Sequence, residues 1–177
     1  MSAVDDATDV RWELAQLNVG RLLAPVESEQ IAGFVAALQP INAIADASPG
    51  FVWRLQTDAG DATSIRPTED DLFLINMSVW SSLETLRAFT YDTAHVGILR
   101  QRRAWFERLA TAHLVLWWVP AGHIPSVDEA LDRLDHLRQH GPTPAAFTFR
   151  TPFGPEATGP GDPMVDAEFC WPDLAAG

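Results

Sequence analysis

The sequence predicts an α+β fold: a four-stranded antiparallel sheet with helices packed on one face. Three observations predict it. Short apolar or alternating segments near residues 12–22, 51–56, 72–80 and 113–120 have strand length and strand patterning. Between the first and second, and between the third and fourth, lie longer stretches with apolar residues three and four apart, the spacing of one helix face. Only a loop separates the second strand from the third, so those two pair as antiparallel neighbours.

WELAQLNVGRL (12–22) alternates apolar and polar residues, with a slip near Ala15, and Pro25 ends it. Ser28 caps the first helix, whose face is built from Ile31, Phe34, Val35, Leu38, Ile41 and Ile44; Pro40 is expected to kink it. Pro49-Gly50 marks a turn. In FVWRLQ (51–56), Val52, Arg54 and Gln56 face one way and Phe51, Trp53 and Leu55 the other. A polar, glycine-bearing loop spans 57–71. LFLINMSVW (72–80) is apolar almost throughout, the mark of a central strand covered on both sides.

Ser81 or Ser82 opens a long second helix that runs to about Phe106, and Ser81 with Glu84 has capping-box spacing. HLVLWWVP (113–120) is the fourth strand, stopped by Pro120. SVDEALDRLDHLRQHG (126–141) carries a cap at each end, Ser126 and Gly141, and forms a C-terminal helix. AFTF (146–149) reads as a short extra strand. The chain divides into a tail over 1–11, one domain over 12–150, and an irregular tail over 151–177 rich in Pro, Gly and acids. The order β-α-β-β-α-β is the ferredoxin-like plan. Its sheet has one uncovered face, here strongly apolar, and pairing two such faces across a two-fold axis predicts a homodimer.

Bulk composition narrows the function. The chain has 177 residues, a formal net charge of −12 and 47% hydrophobic residues. Acidity of that size argues against nucleic acid and against an anionic membrane surface, both of which need a basic face. The cluster Arg100, Arg102, Arg103 and Arg108 reads as a solvated helix face pairing with Glu107 and its neighbours. No apolar run approaches the roughly 20 residues of a membrane span. MSAVDDATDVRW has neither the basic nor the apolar part of a signal peptide. Cys170 is the one cysteine, which excludes an internal disulfide and fits a cytoplasmic location. Seven tryptophans are many for this length; some belong to the core, and an excess also suits a pocket for a flat organic ligand. No glycine-rich phosphate loop or G-x-S-x-G is present, and nothing points to a nucleotide cofactor.

The stretch VWSSLETLRAFTYDTAH, lying across the third strand and second helix, resembles the dimeric α+β barrel superfamily. That superfamily includes antibiotic-biosynthesis monooxygenases and haem-degrading monooxygenases. The blocks LAQLNVGRL, INAIADASPGFVWRLQ, NMSVW, AHVGILRQRRAWF and VLWWVPAGHIPSVDEALDRLDHLRQHGPTPAAFTF are similar to the bacterial domain family DUF3291, over roughly 12–150. The resemblance implies a homodimer with a small-molecule ligand between sheet and helices. In haem-degrading members a helix histidine holds the iron, with an asparagine on the first strand; His95 and Asn18 stand on the matching elements here. Those enzymes also carry a tryptophan inside the helix before the histidine. ETLRAFTYDTAH has none, which speaks against haem degradation but not against haem binding.

At 100° per residue, Tyr91, His95 and Arg102 fall within about 40° of one another on the second helix. A polar stripe therefore runs beside the apolar face. Two readings fit His95. In one it bonds a neighbour and fills space. In the other it lines a pocket, as acid/base or as ligand to an iron. Asn76 is polar inside an apolar strand, either a satisfied core amide or a pocket donor. Arg54 reads more readily as an exposed edge residue than as a carboxylate binder. Trp117 and Trp118 are adjacent and point to opposite sheet faces, one to the helices and one to a dimer partner. His136 and His140 have metal-clamp spacing, but no third ligand is evident.

The site expected on these grounds has Tyr91 and His95 as catalytic groups. Asn18, Trp53, Asn76, Trp80, Arg102, Trp105 and Trp117 contact the ligand. No cofactor is expected, haem with His95 being the alternative. Three functions follow: a flavin-free, oxygenase-like enzyme on an aromatic or polyketide-like molecule, a haem-binding protein, and a non-catalytic dimeric binding module.

Overall fold

The computed structural model describes residues 11–92 and 95–155; within these, the side chains of residues 92, 95, 96 and 98–100 lie outside what is described. Four strands, β1 (Trp12–Arg21), β2 (Phe51–Arg54), β3 (Phe73–Trp80) and β4 (Leu114–Pro120), form one sheet in the order β2-β3-β1-β4, every pairing antiparallel. This is the ferredoxin-like α+β arrangement. Between β1 and β2 runs α1 (Ala32–Ala47), entered through a 3₁₀ turn at Glu29–Ile31; it passes through Pro40 without ending. After β3 come α2 (Leu83–Asp92) and α3 (His95–Trp105), on either side of residues 93–94. The last helix is α4 (Val127–His140).

Alternation along the strands sorts side chains onto two faces. Leu14, Gln16, Asn18 and Gly20 of β1 share one face with Leu74, Asn76, Ser78 and Trp80 of β3, beneath α1, α2 and α3. Ala15, Leu17 and Val19 share the other with Ile75, Met77, Val79, Val115, Trp117 and Val119. The slip near Ala15 is the point where apolar residues change from one face to the other.

The second face corrects the expectation of a bare sheet. Within a single chain α4 lies against it, and Ala130, Leu134 and Leu137 join its cluster. Every strand residue of that cluster is at most 4% exposed. That face is therefore not left bare for a second copy to cover. Trp117 meets α4, its Nε1 donating to Glu129 Oε1 at 3.1 Å, rather than a partner chain. Trp118 is on the first face, donating to the Phe153 carbonyl at 2.7 Å.

Ser28 precedes the 3₁₀ turn but its hydroxyl makes no capping hydrogen bond, whereas the later caps fall close to their expected places. Ser82 Oγ accepts the Thr85 N–H, and Thr85 Oγ1 accepts the Ser82 N–H, so the reciprocal box sits one residue beyond Ser81–Glu84. Ser126 Oγ accepts the Glu129 N–H, and Gly141 closes α4 at φ 73°. AFTF forms isolated bridges rather than a strand, one of them to the sheet: Phe147 and Leu116 exchange two backbone hydrogen bonds at the outer edge of β4. Past it, Phe153 is buried against Trp118 and Phe147, so the segment expected to begin an irregular tail is anchored at its start. The tails over residues 1–10 and 156–177 lie outside the described residues.

Candidate functional site

Helix α1 buries only Ala45 fully, because it stands off from the sheet. The space beneath it is a cavity of about 200 Å³. Its floor is the even row of β1 and β3: Gln16, Asn18, Gly20, Asn76, Ser78 and Trp80. Its roof is the apolar face of α1, with Phe34, Leu38 and Ile41. Phe89 and Thr90 of α2, and Arg102, Trp105 and the adjoining Phe106, close the far wall. Arg54, Asp61 and Thr63 stand at the near edge.

The floor is polar because residues 16, 18, 76 and 78 are polar at positions that alternation turns inward. Antiparallel register sets Asn18 opposite Asn76 and Gln16 opposite Ser78. Gln16 Nε2 donates to Asn76 Oδ1 at 2.8 Å and to Ser78 Oγ at 3.0 Å. Trp80 Nε1 donates to the same Ser78 oxygen at 2.9 Å. From α3, Arg102 reaches down to Asn18 Oδ1 at 3.3 Å and to the Val19 carbonyl at 3.2 Å, with its guanidinium 5.0 Å from the centre of the Phe106 ring. Gly20 makes room for this approach: a Cβ there would lie 2.7 Å from Phe106 Cδ1 and 3.2 Å from Arg102 Nη2.

Arg102 has no carboxylate partner among the described residues. Its charge is held half-buried over the cavity, and desolvation lowers its pKa from the ordinary value. His113, whose carbonyl accepts the Val19 N–H, has its pKa lowered by burial and then by the nearby Arg102 charge. Burial raises the Tyr91 pKa, opposed by Arg87, so Tyr91 stays protonated near neutrality. Arg54 is not the exposed edge residue expected. Its side chain is 11% exposed, grips Asp46 through two nitrogens at 2.7 and 3.1 Å, and donates to the Gly60 carbonyl at 2.8 Å. Of the other arginines in the cluster, Arg103 and Arg108 are exposed, while Glu107 pairs with Arg21 of β1.

Residues 13–160 match the family described as "Domain of unknown function (DUF3291)". The chain belongs to the DUF3291 family. No curated protein matches it. Among solved structures, SnoaB, a cofactor-independent oxygenase from Streptomyces nogalater, is 16% identical with a TM-score of 0.43, covering 63% of this chain and 95% of that one. PA3566 from Pseudomonas aeruginosa is 13% identical at a TM-score of 0.42, covering 63% and 95%. A monooxygenase from the gene ActVA-Orf6 of Streptomyces coelicolor, in complex with the ligand Nanaomycin D, is 14% identical at 0.37, covering 66% and 94%.

In this DUF3291 protein the cavity gathers Asn18, Asn76, Trp80, Arg102 and Trp105 from the residues the sequence singled out. Two others stand elsewhere. Trp117 is fully buried on the second face, as its odd position on β4 requires. Trp53 packs on that face too. A register shift between Phe51 and Trp53 breaks the alternation of β2, leaving Phe51 and Arg54 on the cavity side and Trp53 opposite. Tyr91 lies outside the lining and meets Phe149 edge-on at 5.7 Å. His95 opens α3, and its side chain lies outside the described residues.

Sequence reasoning passed over Gln16, Ser78, Thr90 and Asp61. For Gln16 the signal was available, since it precedes Asn18 by two on one strand. Among the described residues no cluster of His, Cys, Asp and Glu is arranged to hold a metal ion; His136 bonds Thr143 and stacks obliquely on His140. An apolar cavity of about 150 Å³ holds one benzene ring, so a space of about 200 Å³ has room for one or two rings.

Proposed function

We propose that this DUF3291 protein binds a compact one- or two-ring hydroxylated aromatic compound in the cavity between sheet and helices, and oxygenates it without flavin or metal. The observation that carries this reading is the convergence of Asn18, Asn76, Trp80 and Arg102 on one cavity of about 200 Å³. The apolar roof and aromatic walls supply area for a flat ring. Arg102, a cation without an acidic partner among the described residues, supplies the attraction for a phenolate.

A base on α3, His95, takes the phenolic proton; it stands seven positions before Arg102, about 20° away around the helix. The phenolate passes one electron to dioxygen, giving a phenoxyl radical and superoxide. Their recombination forms a carbon–oxygen bond, and the peroxide loses water as the ring carbon gives up its hydrogen, leaving a quinone. Arg102 and Asn18 stabilise the negative oxygen through the first two steps. Helix α4 covers the sheet face on which a homodimer was expected to form.

An oxygen electrode tests the reading, with dihydroxynaphthalene as the probe. Oxygen uptake by the wild type that falls at least about tenfold in Arg102→Leu is expected, since a lost charge-assisted hydrogen bond costs about 1.5–3 kcal/mol. Binding without any uptake would reduce the protein to a binding module. Absence of binding would sink the proposal.

A further inference from the structure

Gln16 lies on the cavity floor and is 6% exposed. It spends one nitrogen on two acceptors, Asn76 Oδ1 and Ser78 Oγ. Asn76 has its oxygen engaged, so the free end of its amide is the NH₂ group. Ser78 Oγ accepts from both Gln16 and Trp80 Nε1, which leaves its own hydrogen to be donated. Asn18 has its oxygen engaged by a guanidinium that can only donate, so its free end is also NH₂. The floor therefore presents N–H and O–H groups, with Arg102 beside them, and its amide acceptors at Asn18 and Asn76 are occupied from within.

We infer that Gln16 is a positioning residue that sets Asn76 and Ser78 of the cavity floor as donors, so that, with Arg102, the site selects the oxyanion of a hydroxylated aromatic ligand over its neutral form. The inference rests on the aromatic-ligand reading above. Gln16 lines the floor beside both residues. It acts through Asn76 and Ser78, fixing which end of each faces the cavity. The opposite orientation of Gln16 would let its oxygen accept from Asn76 Nδ2 and from the Ser78 hydroxyl. Asn76 would then offer an oxygen to the cavity, and the site would favour a neutral phenol that donates.

para-Nitrophenol distinguishes these cases, because it has one ring, ionises near neutrality and its phenolate absorbs visible light. The probe is titrated with the full chain at pH values either side of its ionisation. The wild type is expected to bind phenolate at least about tenfold tighter than phenol, which appears as a fall of about one unit in the apparent pKa of the bound probe. In Gln16→Leu, which keeps the volume and removes the donor, that ratio is expected to drop about threefold or more while the neutral form binds as before. In Gln16→Glu the carboxylate can only accept. It draws Asn76 Nδ2 and the Ser78 hydroxyl toward itself, and the preference is expected to fall further. Far-ultraviolet circular dichroism checks that both variants fold.

A merely structural Gln16 would weaken both forms of the probe together and leave their ratio unchanged; that result overturns the inference. A wild type that prefers neutral nitrophenol overturns it as well, while leaving the aromatic-ligand reading intact. A wild type that binds neither form overturns both.

Discussion

Arg102 of α3 donates to Asn18 Oδ1 of β1 at 3.3 Å, joining residues 84 positions apart in the chain. One interaction thus brings a helix side chain onto the sheet floor and leaves the asparagine amide with only its NH₂ group free. The cation has no carboxylate partner among the described residues, so the interaction orients Arg102 without neutralising it. A charge kept in this state attracts an anion.

Gly20 is the clearance on which that geometry depends. In Gly20→Ala the new methyl would fall 2.7 Å from Phe106 Cδ1 and 3.2 Å from Arg102 Nη2. We expect a loss of about 1–3 kcal/mol of stability from the forced displacement, read by urea unfolding, together with loss of ligand affinity. Unchanged affinity in a folded Gly20→Ala variant would mean that the seating of Arg102 does not matter to the site.

Tryptophan emission separates the two faces of the sheet. Trp80 and Trp105 line the cavity, whereas Trp53 and Trp117 pack on the far face. Quenching by dihydroxynaphthalene is expected to shrink by about half or more in Trp80→Phe, the ring nearest the floor network. It should persist in Trp117→Phe. Equal loss in both variants would place the ligand elsewhere.

Stability should fall on mild acidification. His113 has a folded-state pKa below its ordinary value, from burial first and then from Arg102. A basic group whose pKa is depressed by folding takes up its proton more readily in the unfolded chain. Its contribution is therefore complete above the unfolded value near 6.5 and is lost as pH falls through and below it. Chemical denaturation at pH 7.5 and 5.5 is expected to show this decrease, and His113→Gln to flatten it. A variant with the wild-type slope would assign the effect to other groups.

Leu134 tests the covering of the second face. It is 1% exposed and sits with Leu17, Met77 and Trp117 in one cluster. Leu134→Ala is expected to cost about 2–5 kcal/mol by urea unfolding. A cost below about 0.5 kcal/mol, the range of surface substitutions, would show that α4 does not seal the sheet.

The same helix shows where sequence reasoning stopped. The caps, Ser126 and Gly141, and the 3.6-residue pattern identify α4 from the chain alone. Which sheet face it meets depends on the path taken after β4, which no local pattern carries, and so the second face looked bare. The ferredoxin-like plan followed from the succession of elements, whereas Asn18 was singled out by family resemblance and Asn76 as a polar residue in an apolar strand; the β1–β3 register is what sets them opposite each other. Trp53 was misplaced because the register shift in β2 has no proline or glycine within the strand to announce it. Arg54 looked exposed for a related reason: its partners Asp46 and Gly60 come from α1 and the following loop, and only folding brings them together.

The central claim is that the cavity over Asn18, Asn76 and Arg102 receives a compact aromatic oxyanion. Fluorescence titration with dihydroxynaphthalene and, in parallel, with haemin tests it most directly, in wild type and Arg102→Leu. The account predicts saturable one-to-one binding of dihydroxynaphthalene by the wild type, at least about tenfold weaker in the variant, and no Soret shift with haemin. Equal affinity of the two proteins for dihydroxynaphthalene, or a haemin Soret shift that dihydroxynaphthalene competes away, would contradict it.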